Sequence, residues 1–418
     1  MAGDVSPRVL IVGAGPAGLA AAHALSRQGI GDILIIDRDD APGGLPRFCH
    51  HPGFGLEYAH WPYSGPGFVK SLLRDLKGAD VRIECRTTLL SLKDGPEAQV
   101  VGPSLGLRSI RPQAVIIATG IRESNRGNLA VPGGRAEAGI LTTGQLQQLV
   151  ARKVPLPQHV KSMIIIGTEH VAFSAIWTAR MAGLRVKAMI GCEDRVMSFG
   201  PIGALARACG IAVMTNSRVR EIETTHGAVT AAIVEGTYGT RRLPTDGLVF
   251  TANWIPETAA LLGGPVAIDA RTGGPQIDQA MRTSSAGIFA AGNVLHGVES
   301  SGWCAKEGHH AGEMVARYLR GEIGGVRNGA MVQIAEGIEF AVPQFWDCTL
   351  AHTAGMRDLP VNLRMKQDVE GRRIALKAGD TMIQSGARKR LLRSRRIVLR
   401  PGAIAVPSAV RIRLDVTD

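Results

Sequence analysis

The sequence lacks the features that mark several special classes of protein. No apolar run reaches the roughly 20 residues that a membrane helix requires, so we expect no transmembrane segment. Aromatic residues make up only 4% of the chain and no nucleic-acid-binding motif is present, so we expect no nucleic acid partner. The cysteines include no CxxC or CxxxxC pair, which argues against a disulfide framework, a zinc site or an iron–sulfur cluster within this chain. We expect reduced thiols at Cys49, Cys85, Cys192, Cys209, Cys304 and Cys348.

Acidic residues are also in short supply. The chain has 36 Asp and Glu against 48 Lys and Arg, a formal net charge of +12. Much of the excess lies in the basic run, residues 387–400, where seven residues are Lys or Arg. The simplest interpretation is a solvated strand face. Docking to an acidic partner subunit stays open, as does contact with nucleic acid or an anionic membrane, although no aromatic residues interleave the charges.

Length and composition describe a globular protein with more than one unit. At 418 residues the chain exceeds one ordinary core, which predicts two or three domains. A hydrophobic content of 45% and a charged content of 20% are typical of globular proteins. Residues 1–7 lead directly into an apolar strand without the regions of a signal peptide, so we expect a cytoplasmic protein.

The strongest signal is a glycine turn near the start of the chain. An apolar run, Val9–Val12, precedes a GxGxxG pattern at the point where a strand gives way to a helix. Gly13 permits the tight turn, Gly15 lets a pyrophosphate approach the backbone, and Gly18 lets the helix pack on the strand. The N–H groups at the start of that helix favour an anion.

A second strand supports the same interpretation. Residues 33–36 are apolar and end in Asp37, which lies 24 residues after Gly13, close to the expected position of the acid that binds the adenosine ribose. We therefore predict a dinucleotide site that includes the glycine turn together with Pro16, Ala17, Asp37 and Arg38.

A long loop rich in Gly and Pro follows, at residues 38–56. Gly44 would let the backbone approach the cofactor closely. Cys49 and His51 place a thiol and an imidazole where the reactive part of a long cofactor would lie. The alternative is a packed cysteine beside surface histidines, of which His50 is one. A dithiol relay is not expected, because no second cysteine lies a few residues from Cys49.

The first glycine turn has an imperfect copy at residues 162–175. Laying Gly167 on Gly13 puts Glu169 in the place of the second glycine and Ala172 in the place of the third. Glu169 would then direct a carboxylate to where a pyrophosphate approaches the backbone.

The acid that follows the first turn also has no counterpart in the copy. Gly191 stands where Asp37 stands in the first turn, and glycine offers no acceptor for a ribose hydroxyl. We predict a Rossmann-like unit that has lost its nicotinamide-dinucleotide site, so NAD(P) is a doubtful cofactor. If the site is kept, Glu193 is the candidate ribose ligand.

Two later stretches also run from an apolar strand into a glycine. Strand 115–118 ends in Ala118-Thr119-Gly120, and strand 286–291 ends in Gly292-Asn293. A capped helix begins near residue 299. Beyond residue 320, short apolar runs at 332–341, 359–365, 373–376, 396–399 and 410–416 predict a small β-rich region.

The order and spacing of these stretches over residues 8–320 resemble the FAD oxidoreductases of the pyridine-nucleotide–disulfide reductase superfamily, which have two dinucleotide-binding domains. Residues 43–56 and 299–304 are similar to the α-type FAD subunits of heteromeric dye-linked dehydrogenases of the glycerol-3-phosphate, opine, cyanide-forming and secondary-amine types. The resemblance implies FAD, a partner flavoprotein dehydrogenase that oxidises a small molecule, and often an iron–sulfur subunit.

The resemblance implies an α/β fold with two Rossmann-like three-layer domains and a small terminal domain. The FAD-binding domain would comprise residues 1–123 and 251–325. A degenerate NAD(P)-binding-like domain would comprise residues 124–250, and a small β-rich basic domain residues 326–418.

The resemblance also implies roles for individual residues. Ala118, Thr119 and Gly120 would touch the cofactor, and Gly292 and Asn293 would face the ribityl chain. Asparagine replaces the usual aspartate there, but its amide oxygen can still accept a hydrogen bond. The helix that follows would point at the pyrimidine side of the flavin. The implied residues of the redox face are Cys49, His51, Glu299, Trp303 and Cys304; for Trp303 a place in the core is an equal alternative.

Three functions fit these observations. The first is an FAD electron-transfer subunit of a heteromeric dehydrogenase, whose electrons come from a partner flavin. The second is a self-sufficient NAD(P)H-dependent FAD oxidoreductase. Glu169 argues against this function, because it stands in the place of the second glycine of a nucleotide-binding turn. The third is a flavin-containing structural or assembly subunit without turnover.

Overall fold

The computed structural model describes residues 6–136, 138–198, 200–251, 253–347, 349–350, 360–379, 381–387, 389–400 and 412–417. Cys348, and Arg388 of the basic run, lie outside the described residues. The helices are α1 Pro16–Arg27, α2 Leu56–Ala59, α3 Gly65–Asp75, α4 Thr143–Ala151, α5 His170–Met181, α6 Gly200–Ala208 and α7 Ser301–Leu319. Short 3-10 turns cover Leu45–Phe48, Ala259–Leu261 and Gly292–Val294.

The strands fall into three groups along the chain. The first group is β1 Val9–Val12, β2 Ile33–Ile36, β3 Pro52–Phe54, β4 Tyr63–Ser64, β5 Val81–Glu84, β6 Thr88–Lys93, β7 Glu97–Gly102, β8 Gly106–Ile110, β9 Ala114–Ile117 and β10 Ile121–Glu123. The second is β11 Ile140–Thr142, β12 Ser162–Ile166, β13 Arg185–Ile190, β14 Ala212–Met214, β15 Ser217–Thr225, β16 Ala228–Gly236, β17 Gly239–Pro244, β18 Leu248–Phe250, β19 Trp254–Pro256 and β20 Ile288–Ala290. The third is β21 Ala330–Ile334, β22 Ile338–Val342, β23 Phe345–Trp346, β24 Val361–Met365, β25 Val369–Ala378, β26 Thr381–Ser385, β27 Lys389–Leu391, β28 Ile397–Leu399 and β29 Ile412–Thr417.

The first sheet is parallel, in the order β20-β9-β1-β2-β5. Every residue of β1, β2, β9 and β20 is buried, because both faces of the sheet are covered. Val9 and Ile11 pack against the helices α1, α3 and α7. Leu10 and Val12 face the opposite way, towards the antiparallel sheet β6-β7-β8. The result is a three-layer Rossmann-like unit.

A second parallel sheet, β11-β18-β12-β13-β14, repeats the plan. Met163 and Ile165 of β12 pack on the side of helices α4, α5 and α6. Ile164, between them, packs on the antiparallel sheet β15-β16-β17. The predicted α/β class with two Rossmann-like units is therefore confirmed, while the predicted domain boundaries stay a prediction. Strands β10 and β19 pair where the chain passes between the two sheets.

The structure corrects two expectations about irregular and regular segments. The loop at 38–56 contains a 3-10 turn, strand β3, which pairs with β4, and the start of helix α2. The run at 332–341 forms two strands, because the chain turns at Glu336 and Gly337. The strands and the helix in these two segments are only three to five residues long, which is too short for hydrophobic periodicity to reveal them.

The C-terminal strands form the sheets β23-β21-β29-β25-β26, extended by β27, and β22-β24-β28. This region is joined to the first unit by buried contacts. Arg282 lies 2.6 Å from a carboxylate oxygen of Asp278 and 2.8 Å from one of Asp347, and all three side chains are buried. Phe340 and Val342 belong to the same apolar cluster as Leu10 of β1. The C-terminal region thus completes the first unit's core.

Helices α1 and α7 cross at small residues. A methyl group added at Gly308 would lie 2.0 Å from the carbonyl oxygen of Ala17, and one at Gly312 would lie 2.4 Å from that of Ala21. Only glycine permits this approach. The crossing sets the first half of α7 against the start of α1, beside the first glycine turn. In the part of the chain that the structure describes, no helix is long and apolar enough to cross a membrane.

Candidate functional site

The first glycine turn is built to leave the start of α1 open. Gly13 has a φ of 112°, a conformation that glycine adopts without strain. Helix α1 has no side-chain cap at Gly15 and no acidic residue in its first turn, so its first N–H groups are available to a ligand. A methyl group built on Gly15 would meet no atom within 4 Å, whereas one on Gly18 would lie 1.9 Å from the carbonyl oxygen of Gly13. Gly15 therefore borders open space, and Gly18 serves packing.

Asp37 fastens the turn to the end of β2. Its carboxylate accepts hydrogen bonds from the backbone N–H of Ala14 at 2.7 Å and of Asp39 at 2.8 Å. Burial raises the pKa of Asp37, and the two N–H groups oppose that rise. The neighbouring Arg38 makes an ion pair with Glu257 at 3.0 Å. Asp37 thus both shapes the turn and presents its carboxylate there.

The other predicted cofactor residues surround the same turn. The carbonyl of Ala118 would lie 2.3 Å from a methyl group added at Gly13, and Gly44 approaches the Cα atom of Gly15. Thr119 donates to the carbonyl of Glu257 at 2.7 Å. One cleft of about 1770 Å³ collects most of the predicted set. Its lining includes Gly13, Gly15, Pro16, Ala17, Asp37, Arg38, Gly44, Cys49, His51, Ala118, Thr119, Gly120, Asn293, Glu299, Trp303 and Cys304.

Asn293 also makes hydrogen bonds to the backbone of Glu299, which the sequence did not predict. Its amide oxygen accepts from the backbone N–H of Glu299 at 2.8 Å, and its amide nitrogen donates to the carbonyl of Glu299 at 3.2 Å. The side chain therefore fixes the loop that leads into α7. An amide oxygen has two lone pairs, so a contact with the ribityl chain stays a prediction. The preceding Gly292 packs against Ala17 of α1.

The two predicted thiols are buried and protonated. Burial raises the pKa of Cys49 to about 12, with a smaller contribution from Glu123, and the Sγ atom contacts the carbonyl of Leu45 at 3.5 Å. Burial also raises the pKa of Cys304 far above its ordinary value. The thiolate is the reactive form of cysteine, so neither site favours thiol chemistry at neutral pH. The cysteines among the described residues are free.

His51 connects the two Rossmann-like units. Its Nδ1 atom lies 3.0 Å from the carbonyl of Pro52, which can only accept, so Nδ1 carries the proton. Its Nε2 atom then accepts from the hydroxyl of Ser174 in α5 at 2.7 Å, and that hydroxyl accepts from Gln147 in α4. Burial lowers the pKa of His51, which favours the neutral ring. The arrangement gives His51 a structural partner on the second unit.

The start of α7 carries a dense set of charges. Ser300 caps the helix by accepting from the N–H of Trp303 at 3.4 Å and donates to Glu57 of α2 at 2.8 Å. Glu299 contacts two arginines of the C-terminal region: Arg364 in β24, and Arg396 just before β28. Trp303 is half-buried beneath Arg396 rather than part of an apolar core. No local sequence pattern had pointed to Glu57 or to the two arginines.

The second glycine turn has the same backbone but a different content. Gly167 has a φ of 134°, and helix α5 follows as α1 follows Gly13. Glu169 turns its carboxylate back over the turn, where it accepts from the N–H of Thr168 at 2.9 Å and from the hydroxyl of Thr251. Burial raises the pKa of Glu169, and the hydrogen bond from Thr251 opposes that rise. The carboxylate lies 2.7 Å from where a Cβ of Gly167 would stand.

The basic run folds inward at two of its residues, contrary to the solvated strand face that was the simplest expectation. Arg393 pairs with Glu193, the candidate ribose ligand of the second turn. Arg396 pairs with Glu307 and Glu299. The acidic partners lie about 90 to 200 residues away in the chain. The local sequence therefore indicated a cluster of positive charges but not the ion pairs that they form.

A three-layer fold with an open glycine turn, an acid at the next strand end and a long cleft defines a dinucleotide-dependent oxidoreductase. Residues 7–309 match the family model described as pyridine nucleotide-disulphide oxidoreductase. The chain belongs to this family and is an FAD-dependent oxidoreductase. FAD fits the first turn, since Gly15 borders open space and the first N–H groups of α1 have no side-chain partner. Among the described residues no cluster of His, Cys, Asp and Glu could hold a metal ion.

Individual relatives differ in kind. The chain is 26% identical to a ferredoxin–NADP reductase of Ignicoccus hospitalis, over 74% of this chain and 97% of that protein. It is 25% identical to an opine oxidase subunit of Agrobacterium tumefaciens, over 68% of this chain and 60% of that protein. The structure also matches thioredoxin reductase of T. acidophilum with a TM-score of 0.64 and 22% identity, covering 76% of this chain and all of that chain, which supports the fold.

Proposed function

We propose that this chain is the FAD-bearing subunit of a heteromeric dehydrogenase and that it receives electrons from a partner flavoprotein, which oxidises the small-molecule substrate. The observation that carries the proposal is the contrast between the two glycine turns. The first is open at Gly15. At the second, the carboxylate of Glu169 covers the turn and Glu193 is paired with Arg393.

The first turn and its surroundings are proposed to hold FAD. The start of α1 would bind the pyrophosphate, and Asp37 would accept from the adenosine ribose. When bound, FAD supplies the capacity to accept and release two electrons. The full proposed set is Gly13, Gly15, Pro16, Ala17, Gly18, Asp37, Arg38, Gly44, Ala118, Thr119, Gly120, Gly292 and Asn293. The division into an FAD domain at 1–123 and 251–325, a second unit at 124–250 and a C-terminal unit at 326–418 belongs to the same proposal.

The chemistry of the site supports an electron-transfer role over thiol exchange. Cys49 and Cys304 are buried thiols with raised pKa values. His51 is neutral and hydrogen bonded at both ring nitrogens, so it is not poised as a general base. We therefore assign the residues near the redox face to positioning of the flavin and assign the substrate chemistry to the partner. An iron–sulfur subunit and a cytoplasmic location remain parts of the proposal.

The relatives support this proposal in part. The opine oxidase protein is, by its name, one component of a larger enzyme. A self-sufficient NAD(P)H-dependent oxidoreductase is the second candidate, which the match over 97% of a ferredoxin–NADP reductase favours. The two candidates differ in the electron donor.

Purification from the native host tests the proposal. We expect a tagged chain to show a flavin absorption spectrum and to retain a second flavoprotein in stoichiometric amount. A chain carrying Gly15→Glu provides the matched control, since it should lose its own flavin but keep surfaces remote from the turn. Purification of the flavin-bearing chain alone, with complete turnover on NADPH, would support the second candidate instead.

The third function, an assembly subunit without turnover, calls for a different test from truncation. Removing residues after 326 would expose the buried Arg282–Asp278 pair and the apolar cluster around Leu10. Such a deletion would unfold the first unit rather than remove a docking surface. Anaerobic reduction of the flavin within the intact complex by the partner's substrate separates the functions, because an assembly subunit would keep its flavin oxidised.

A further inference from the structure

The C-terminal strands contribute a buried ionic cluster to the start of α7. Arg364 of β24 and Arg396, which immediately precedes β28, contact two glutamates of the α7 segment, Glu299 and Glu307. We call these four residues the α7 cluster. All four side chains are at most 16% exposed, and three of them are 8% exposed. Charged side chains are rarely buried to this degree without a specific arrangement of partners.

Arg396 holds three groups at once. Its Nη2 atom lies 2.5 Å from Glu307, its Nε atom lies 3.4 Å from Glu299, and the centre of its guanidinium lies 4.4 Å from the ring of Trp303. A planar guanidinium can stack on an indole and pair with carboxylates in its own plane, which a lysine ammonium cannot do. Arg396 therefore sets the relative positions of all three side chains.

Arg364 acts on the backbone just before the helix. Its Nη2 atom donates to the carbonyl of Val298 at 2.7 Å and to Glu299 at 2.7 Å. Asn293 binds the backbone of Glu299 from the other side. The segment that leads into α7 is thus fastened both by the first unit and by the C-terminal strands.

The cluster is electrically balanced. Burial disfavours the charge on Glu307, but the charge of Arg396, with His296 at 3.8 Å, outweighs it and lowers the pKa of Glu307 to about 2. Burial likewise disfavours the charge on Arg396, but the carboxylates of Glu307 and Glu299 outweigh it and raise the pKa of Arg396. Removal of Arg396 would therefore take a positive charge from the edge of the cleft, which Arg396 and Glu299 both line. Glu307 would lose its arginine partner, while Glu299 would keep Arg364.

We propose that Arg396 is a positioning residue for the flavin: it holds Trp303 and the start of α7 in place and balances the carboxylates there, so that the C-terminal strands help set the flavin's reduction potential. The inference rests on the proposed FAD site. Reduced flavin gathers negative charge, so the loss of a positive charge beside the cleft would disfavour reduction. The basic run thereby includes a functional part of the flavin site.

The variants Arg396→Gln, Arg396→Lys and the double variant Arg396→Gln/Glu307→Gln test the proposal. Arg400→Gln is the control, because it removes the same charge type from an exposed position four residues away. Each variant is purified as the full chain with FAD, and the flavin midpoint potential, the flavin content and the thermal unfolding temperature are measured.

We expect Arg396→Gln to lower the ratio of reduced to oxidised flavin at a fixed ambient potential about tenfold, which is about 30 mV for a two-electron couple. Arg396→Lys keeps the charge and should shift the ratio less. The double variant removes one charge of each sign and should return most of the shift. Arg400→Gln should leave the potential unchanged.

Two results would overturn the inference. One is a lowered unfolding temperature in Arg396→Gln with an unchanged potential, which would make the cluster a structural clasp. If Arg396→Gln does not fold, Glu307→Gln carries the test instead: it removes a carboxylate beside Arg396 and should raise the ratio of reduced to oxidised flavin, and an unchanged potential in that variant would also overturn the inference. These results are distinct from failure of the proposed function: rapid reduction of the wild type by NADPH would change the donor and leave the potential shift intact.

Discussion

The two glycine turns of this protein share a backbone and differ in one decisive residue. Gly13 and Gly167 both have positive φ angles, both follow a buried parallel strand, and both precede a helix. At the next position but one, the first turn has Gly15 beside open space and the second has Glu169, whose carboxylate folds over the turn. The comparison teaches that two turns with the same backbone can differ in whether a side chain of the protein occupies the space beside the glycine.

The polar groups of the second turn have partners within the protein. The carboxylate of Glu169 accepts from Thr168 and Thr251, so these polar groups have partners without a pyrophosphate. In the first turn, Asp37 binds Ala14 and leaves the start of α1 free. The position of one carboxylate thus distinguishes the two turns, and we propose that it decides which of them accepts a ligand.

Placing a glutamate in the first turn, at the position that Glu169 occupies in the second, should have the largest effect on cofactor binding. Gly15→Glu places a carboxylate where the pyrophosphate would approach, and repulsion plus lost space should reduce FAD affinity at least about 100-fold, or about 3 kcal/mol. The flavin-to-protein absorbance ratio and titration calorimetry measure this. Gln28→Glu adds the same charge at the exposed end of α1 and should bind FAD normally. Full flavin content in Gly15→Glu would contradict the assignment of the first turn.

Replacement of Asp37, the acid at the end of β2, should have the second-largest effect on FAD affinity. Asp37→Ala removes the acceptor of two backbone N–H groups as well as the proposed ribose ligand, so we expect FAD affinity to fall about tenfold or more. Asp39→Ala removes a half-exposed neighbouring carboxylate and is the control. Equal affinities for the two variants would show that the acid at the end of β2 does not bind the cofactor.

Replacing Glu169 of the second turn by the glycine found in the first turn should open the second turn in part. Glu169→Gly removes the internal carboxylate, and we expect NADPH or NADH affinity to rise about threefold to tenfold. Addition of Arg393→Ala frees Glu193 and should increase the gain. Arg390→Ala, which removes an exposed arginine of the same run, is the control. If Glu169→Gly leaves affinity unchanged and the wild type already binds nucleotide well, the second candidate function is favoured.

The smallest expected effect concerns the stability of the second turn. Burial raises the pKa of Glu169 above its ordinary value of 4.5, so its contribution to stability is fully present below that value and is lost as the pH rises through the folded-state pKa. Glutamine does not ionise. We expect Glu169→Gln to unfold about 2 °C or more above the wild type at neutral pH and to lose that advantage near pH 4.5. An advantage that grows towards acid pH would contradict the buried position of the carboxylate.

The sequence predicted those parts of the molecule that depend on neighbours along the chain. The first turn, the strands β1 and β2 and the second turn's departure from the glycine pattern follow from glycine spacing and from runs of apolar residues. The role of Glu169 was predicted from its position, although its partner Thr251, 82 residues later, was not.

What the sequence could not predict depends on contacts between distant segments. His51 meets Ser174, Arg393 meets Glu193, and Arg396 meets Glu299 only after the chain has folded. Burial, which decides the state of the Cys49 thiol, has the same origin. The basic run shows the consequence most clearly. Its sequence predicts a solvated face, but Arg393 and Arg396 pair with acidic residues from distant segments.

The most direct test of the central claim is the anaerobic reduction of the purified FAD-loaded chain by NADH and by NADPH, followed by stopped-flow absorbance. Because the carboxylate of Glu169 lies over the second turn and Arg393 pairs with Glu193, we predict slow and incomplete reduction by both nucleotides, and faster reduction after Glu169→Gly/Arg393→Ala. Rapid and complete reduction of the wild-type flavin by either nucleotide would contradict the account.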